Sequence, residues 1–423
     1  MLDVRFVREN TAEVVTRLTK RNLPAQDLVD QLLRLDDSRR EAQQQFDATQ
    51  AEMNKLSKEI GELFKAGKQA EANASKDRTV QLKDLIKTLE EKQRSAEQEL
   101  TSLLHTIPNT PHESVPTGKT PEENITVRES GLKPNLSADA LPHWEIAAKY
   151  NLINFELGVK ISGAGFPVYI NQGAKLQRAM IQFFLDEAVK AGYIEYQVPH
   201  VVNADSGFGT GQLPDKEGQM YHDAQDDLYL IPTAEVPLTN IYRDVIVTEK
   251  EFPIKMTGYT PCFRREAGSY GKEVRGLNRL HQFDKIEIVQ IAHPDKSYEA
   301  LEGMVEHVAS LLDKLELPYR ILRLCGGDMG FTSALTYDFE TWSAAQQRWL
   351  EVSSTSNFET FQANRLKLRF KDSEGKMRFC HTLNGSALAL PRIVATLLEN
   401  NQTPEGIKIP ACLVPYTGFE YIK

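Results

Sequence analysis

Residues 260–289 read TPCFRREAGSYGKEVRGLNRLHQFDKIEIV. Both ends are strand-like, with alternating apolar and β-branched residues, and between them lies a charged loop containing glycine. Strands at both ends would hold the loop's side chains firmly enough to meet a ligand. Arg264 and Arg279 supply planar, permanently charged donors suited to phosphate or carboxylate. Phe283 offers an aromatic face, and Glu266 can accept from an amine. Any one Arg–Glu combination could be a surface ion pair, but the whole set at this spacing reads as a ligand site.

Outward from this stretch the grammar stays mixed α and β. Residues 172–191 make a plausible amphipathic helix, and strand-like runs occur at 229–231, 285–291, 319–324, 349–352 and 380–383. Successive strands separated only by turns predict a mostly antiparallel sheet rather than regular βαβ units. Further upstream, 107–111 reads Ile-Pro-Asn-Thr-Pro and Pro116 follows, which breaks helix and reads as a hinge or linker. Before it, residues 25–105 hold almost no glycine or proline beyond Gly61 and Gly67. Apolar residues there recur in alternating steps of four and three, through Leu28, Leu32, Leu35, Ala42, Phe46, Met53, Leu56, Ile60 and Leu63. The pattern resumes at Ala72 and continues through Leu82, Ile86, Leu89, Ala96, Leu100 and Leu103. Such spacing predicts an antiparallel coiled-coil hairpin whose first helix, at about 1.5 Å per residue, would be roughly 55 Å long.

Charge shifts along the hairpin. Residues 25–52 carry three basic and seven acidic side chains, and residues 53–87 carry eight and five, so the positive part surrounds the tip. Taken alone this fits a solvated coiled-coil surface as well as a binding surface. The glycine spacing around Gly61 and Gly67 is wrong for a Walker-type phosphate loop, and Gln69 stands where Ser or Thr is needed. The net charge of −9 argues against general nucleic-acid coating but leaves room for one local basic patch. Cys262, Cys325, Cys380 and Cys412 form no CxxC pair, so reduced thiols are expected, with no zinc. No apolar run approaches the ~18 residues needed to cross a bilayer, and charged residues interrupt the N-terminus, so a cytoplasmic protein without membrane attachment is expected.

The motif Phe263-Arg264-Arg265-Glu266, followed by Arg279 and Phe283, resembles motif 2 of class II aminoacyl-tRNA synthetases. Asn384-Gly385-Ser386-Ala387-Leu388-Ala389-Leu390-Pro391-Arg392 resembles motif 3, read as a glycine leading by a helix into an arginine, at about 384–398. Motif 1, the weakest, spans about 172–200: a helix, Gly192 and a strand ending at Pro199. Thr233-Ala234-Glu235, the Gly211-Gln212-Leu213-Pro214 loop, His281-Gln282-Phe283 and the run from Glu351 to Asn357 narrow the resemblance to the seryl-tRNA synthetase family, of bacterial type. Two departures, Ala387 for glycine and Asn278 for an aliphatic residue, remove no chemical group.

The resemblance implies an α+β chain: an N-terminal tRNA-binding domain over 1–108 with its arm at about 27–104, then a class II catalytic domain over 109–423. It implies a homodimer that activates L-serine with ATP and Mg²⁺ and loads tRNA(Ser), and tRNA(Sec) where present. Arg264, Arg279 and Arg392 are the expected catalytic residues. Arg264 would bridge the amino-acid carboxylate and the α-phosphate, and Arg279 would take the outer phosphates. Phe283 and Arg392 would sandwich the adenine, and Glu266 would read its amino group. Arg265, Leu280, Val352 and Ser353 complete the expected ATP set, with Glu351 and Ser354 as Mg²⁺ ligands. Serine would meet Thr233, Ala234, Glu235, Arg264, Glu287, Asn384 and Ser386. Such a polar pocket rejects alanine, because each buried unpaired group costs about 1–3 kcal/mol. His281 is expected to be structural. No stretch is left for an editing domain, so a tight pocket must exclude threonine. The rivals are a class II ligase that loads a carrier protein, which would lack the arm, and an inactive coiled-coil adaptor, which would not need the arginines.

Overall fold

The computed structural model describes residues 1–136, 140–266 and 275–423, so the middle of the expected 260–289 loop lies outside the described residues. The chain divides into two compact units: Met1–Thr19 with Leu23–Pro108, and Lys20–Asn22 with Asn109–Lys423.

The first unit is helical. Two short helices, α1 (Val4–Glu9) and α2 (Thr11–Thr19), precede the long pair α3 (Ala25–Lys65) and α4 (Gln69–Leu104). Along α3 the buried side chains are Ala25, Val29, Leu32, Asp36, Ala42 and Thr49, and along α4 Leu82, Leu89 and Ala96 recur every seven residues. That period keeps one seam of each helix on its partner. Asp36 occupies a seam position as a buried carboxylate. Burial would push its carboxyl up, but Arg39 and Arg8 outweigh it and hold it low, at 2.8 and 2.7 Å.

The second unit is built on an eight-stranded sheet. In chain order its strands are β1 (Ile125–Ser130), β2 (Ile194–Glu195), β3 (Ile254–Phe263), β4 (Gln282–Ala292), β5 (Tyr319–Arg323), β6 (Leu335–Ser343), β7 (Arg348–Asn357) and β8 (His381–Ala389). They lie in the order β1-β5-β6-β7-β8-β4-β3-β2. Every pairing is antiparallel except β2 with β3. Three helices, α5 (Asn171–Lys190), α6 (Ser297–Lys314) and α7 (Leu390–Asn400), pack with the sheet in one hydrophobic cluster that includes Phe184, Met304, Leu397, Ile286, Ile288, Phe339 and Leu383. On β4 the two-residue period sends Ile286 and Ile288 into that cluster and turns Glu287 to the opposite face.

Four local expectations are corrected. The run expected to end at residue 383 continues as β8 to Ala389, so Asn384, Gly385 and Ser386 lie on a strand, and the helix starts only at Leu390. The run 349–352 likewise extends to Asn357. Asparagine and glycine have weak strand propensity, but β7 and β8 are each paired on both edges, and tertiary hydrogen bonding decides. The proline-rich segment after residue 107 is not a loose tether. Asn109 and Thr110 are buried. The Asn109 N–H donates to the Phe331 carbonyl at 2.9 Å, and its side-chain amide donates to the carbonyls of Thr332 and Phe358 at 2.9 and 2.8 Å. After Gly192 only Ile194 and Glu195 are strand, shorter than the run to Pro199.

Candidate active site

β3 and β4 are joined in register, with Phe263 opposite Gln282 and Gly258 opposite Glu287. Arg264 carries the ladder one bond further, its N–H donating to the His281 carbonyl at 2.9 Å. The guanidinium stands 5.3 Å from the centre of the Phe283 ring, and Nε donates to the Pro232 carbonyl at 3.4 Å. A cation over an aromatic face is attracted by the ring quadrupole, so Phe283 and the chain before Thr233 together orient Arg264. Glu266 has a φ of +49°, which is uncommon for a residue with a side chain. Its carboxylate pairs with Arg279 Nε at 2.7 Å, closing the mouth of the loop. Arg265 is exposed and lies 5.9 Å from the Tyr221 ring. Leu280 and Val352 are buried, and in each residue only the backbone is polar. His281 braces its neighbours: Nδ1 lies 2.9 Å from the Tyr221 hydroxyl and the ring stacks on Phe166 at 5.4 Å.

Glu287 lies at the centre of a second group and is fully buried. Its Oε2 accepts from Lys285 Nζ at 2.6 Å and from Thr233 Oγ1 at 3.2 Å, and Oε1 accepts from Asn384 Nδ2. Thr233 Oγ1 in turn accepts the Glu235 N–H at 3.2 Å, while Ala234 between them is buried. Ser386 faces Glu287 across the β4–β8 ladder, and its carbonyl accepts from Ser353 Oγ at 2.6 Å. Glu235 is a second buried carboxylate. It accepts from Gln362 Nε2 at 2.7 Å, and Gln362 accepts from Thr382 Oγ1 at 2.7 Å. Burial first, then the negative charge of Glu287, pushes the Glu235 carboxyl up to about 7. Two neighbouring buried carboxylates resist being ionised together.

Arg392, in the first turn of α7, donates from Nε to the Asn278 carbonyl at 3.2 Å and from Nη1 to the Glu351 carbonyl at 2.7 Å. This ties motif 3 to β7 and to the chain returning from the loop. Ser354 lies opposite Asp338 of β6. Asp338 Oδ1 is buried and finds no hydrogen-bond partner among the described residues. Burial first, then the charge of Glu351, holds the Asp338 carboxyl well above the usual range. An orphaned carboxylate oxygen beside a glutamate and a hydroxyl is a set of hard donors, which fits Mg²⁺. Among the described residues no three His, Cys, Asp or Glu side chains converge as a ligand set. Such an ion would therefore complete its shell from phosphate and water.

Three polar partners were not among the expected residues. Lys285 was legible, two positions from Glu287 on a strand and hence on the same face. Gln362 and Asp338 were not, because only the folded chain brings them to Glu235 and Ser354.

Residues 1–111 match the family model described as Seryl-tRNA synthetase N-terminal domain, and residues 219–401 match that of the tRNA synthetase class II core domain (G, H, P, S and T). A Serine--tRNA ligase of Salinibacter ruber is 50% identical over 424 residues, covering 100% of this chain and 99% of the relative. Its counterpart in Akkermansia muciniphila is 48% identical, with coverage of 100% and 99%. Among solved structures, a seryl-tRNA synthetase of Pyrococcus horikoshii complexed with ATP superposes with a TM-score of 0.92 at 33% identity, covering 99% of each chain. Full-length similarity to serine ligases disfavours both the carrier-protein ligase and the inactive adaptor.

Proposed function

The chain belongs to the seryl-tRNA synthetase family and ligates serine to tRNA with consumption of ATP; from that premise we propose which of its residues do so. The serine side chain and ammonium lie against Glu287, Thr233, Asn384 and Ser386, with Glu235 behind. The observation that carries this reading is the fully buried Glu287 carboxylate, already ringed by three polar donors and facing Ser386 across the ladder.

Arg264 lies between the Thr233 segment and Phe283 and meets both reacting anions, the serine carboxylate and the α-phosphate. A serine carboxylate oxygen attacks phosphorus, the bond to the bridging oxygen breaks, and pyrophosphate leaves with seryl-adenylate formed. Two anions must approach, so positioning and charge neutralisation supply the acceleration. Adenine stacks on Phe283 with Arg392 on its other side, Glu266 accepts from its amino group, and Arg279 takes the outer phosphates. The backbones of Arg265, Leu280, Val352 and Ser353 line the nucleotide. When Mg²⁺ is bound, Glu351 and Ser354 would hold it, and it would offset phosphate charge. A terminal ribose hydroxyl of tRNA then attacks the seryl carbonyl and AMP departs.

Residues 1–108 are the tRNA-binding part, supported by the basic tip of the hairpin. The substrates would include tRNA(Ser) and, where present, tRNA(Sec). The enzyme would be a cytoplasmic homodimer joined through 172–200, a reading supported by the exposure of Val189 and Ile194. No described helix is long and apolar enough to cross a membrane.

Pyrophosphate exchange tests the assignments. Arg264→Ala is expected to lower exchange by at least about a hundredfold in a folded protein. Glu287→Ala should raise the KM for serine by at least about tenfold while leaving ATP binding within about twofold. Near-normal exchange in Arg264→Ala, or equal loss of both ligands in Glu287→Ala, would reject the roles.

A further inference from the structure

Glu399 lies in the last turn of α7 and is completely buried. A carboxylate there faces the negative end of the helix dipole and loses its hydration. Burial alone would push its carboxyl up, and hydrogen bonds from His143 and Ser343 oppose that. Four donors converge on it: the His143 backbone N–H at 3.0 Å, His143 Nδ1 at 2.7 Å, Gln346 Nε2 at 3.0 Å and the Ser343 hydroxyl.

The other imidazole nitrogen fixes the tautomer. His143 Nε2 lies 2.9 Å from the backbone nitrogen of Leu277. A backbone N–H can only donate, so Nε2 carries no proton and Nδ1 donates to Glu399. The approach is close because the preceding residue is Gly276, at a φ of +66°, where an added Cβ would stand 2.2 Å from His143 Nε2. A second branch leaves Glu399 through Gln346, whose Oε1 accepts from Asn278 Nδ2 at 3.0 Å. The carbonyl of Asn278 is the acceptor for Arg392 Nε, at 3.2 Å. One buried carboxylate therefore holds Leu277 and Asn278, the two residues before Arg279, and through Asn278 it reaches Arg392.

We infer that His143 and Gln346, hydrogen-bonded to Glu399, are positioning residues for ATP: they fix the chain at Leu277 and Asn278 so that Arg279 and Arg392 stand in register for the nucleotide. This rests on the ATP roles proposed above for the two arginines. Neither His143 nor Gln346 is among the residues proposed above to meet substrate. The serine pocket around Glu287 is built from other residues, so the effect should fall on one substrate alone.

His143→Asn is the discriminating variant, because its amide can replace the Nδ1 donor to Glu399 but not the Nε2 acceptor for Leu277. In pyrophosphate exchange it should raise the KM for ATP by about tenfold and leave the KM for serine within about twofold. His143→Gln, which restores an acceptor near the Nε2 position, should recover part of the loss. Hydrogen exchange at the Leu277 amide should quicken in His143→Asn and not in a mutant of the serine pocket. Gln346→Ala removes a half-buried side chain and keeps the fold if His143→Asn does not; it should raise the KM for ATP by at least about threefold. A lower melting temperature with unchanged ATP KM and unchanged Leu277 exchange would reduce the network to core packing and overturn the inference. Arg392→Ala separates the two layers. If it raises the KM for ATP while Gln346→Ala and His143→Asn do not, the network is wrong and the arginine's role stands. If Arg392→Ala itself leaves the ATP KM unchanged, that role fails and the inference with it.

Discussion

Glu235 and Glu287 show how two identical side chains, both buried and neighbouring, acquire different hydrogen-bond partners. Glu287 receives Lys285, Thr233 and Asn384, whereas Glu235 receives Gln362 and lies beside a like charge. The folded protein holds a proton on Glu235 more tightly than the unfolded chain does. The stability this contributes is complete below the ordinary value of 4.5 and is lost as pH rises through about 7. Glu235→Gln mimics the protonated carboxyl and keeps an acceptor for Gln362. It should remove that part of the pH slope and stabilise the protein at pH above 7 by on the order of 2 kcal/mol. Urea unfolding of wild type and variant on both sides of this window would measure it. An unchanged slope would mean that Glu235 is ionised throughout.

At the scale of elements, the three central strands β7, β8 and β4 carry much of the candidate site, and the close approach of β8 to β7 depends on one missing side chain. Gly385 of β8 faces Thr355 of β7. An added Cβ would stand 2.8 Å from Thr355 Oγ1 and 3.1 Å from its methyl carbon. Gly385→Ala should therefore force the strands apart, cost about 1–3 kcal/mol in denaturant unfolding, and reduce exchange by displacing Asn384 and Ser386. Thr355 Oγ1 is buried and has no partner among the described residues, so Thr355→Ala is expected to be mild alone and to restore much of the loss in the double variant. Additive losses would place the strain elsewhere.

For the whole molecule, the expectation is that the hairpin serves tRNA and the sheet serves adenylate formation. Deleting the whole of residues 1–108 is a poor test, because it would remove Lys20–Asn22, which belongs to the second unit. Arg21 is half-buried there, and desolvation lowers its guanidinium to about 10; it donates to the carbonyls of Asn109 and Ser333. A cleaner excision removes residues 53–77, above the Glu52–Arg78 ion pair at 2.9 Å, and closes the helices with a short glycine turn. Serine-dependent exchange should stay within about twofold of wild type, and charging of tRNA should fall at least about tenfold, with the intact enzyme's charging weakening as salt rises. Undiminished charging would remove the arm tip from tRNA recognition.

The heptad repeat and the stretch 260–289 sufficed to expect a helical hairpin and an antiparallel sheet, because the periods 3.5 and 2 are written in nearest neighbours along the chain. Motif spacing brought out Arg264, Glu266, Arg279 and Phe283 because they flank a single hairpin of strands. It did not reveal that Asn384 and Ser386 lie on a strand, since cross-strand hydrogen bonds to β4 and β7 override the weak local preference of Asn384 and Gly385. Nor could it pair Gln362 with Glu235, Asp338 with Ser354, or His143 with Glu399. Those contacts join residues far apart in the chain whose side chains carry no pattern in common. Local sequence determines the periodicity of each element and the residues at the ends of its turns. Which buried carboxylate keeps its proton and which is held ionised is decided only when folding excludes water and brings distant donors within hydrogen-bond reach.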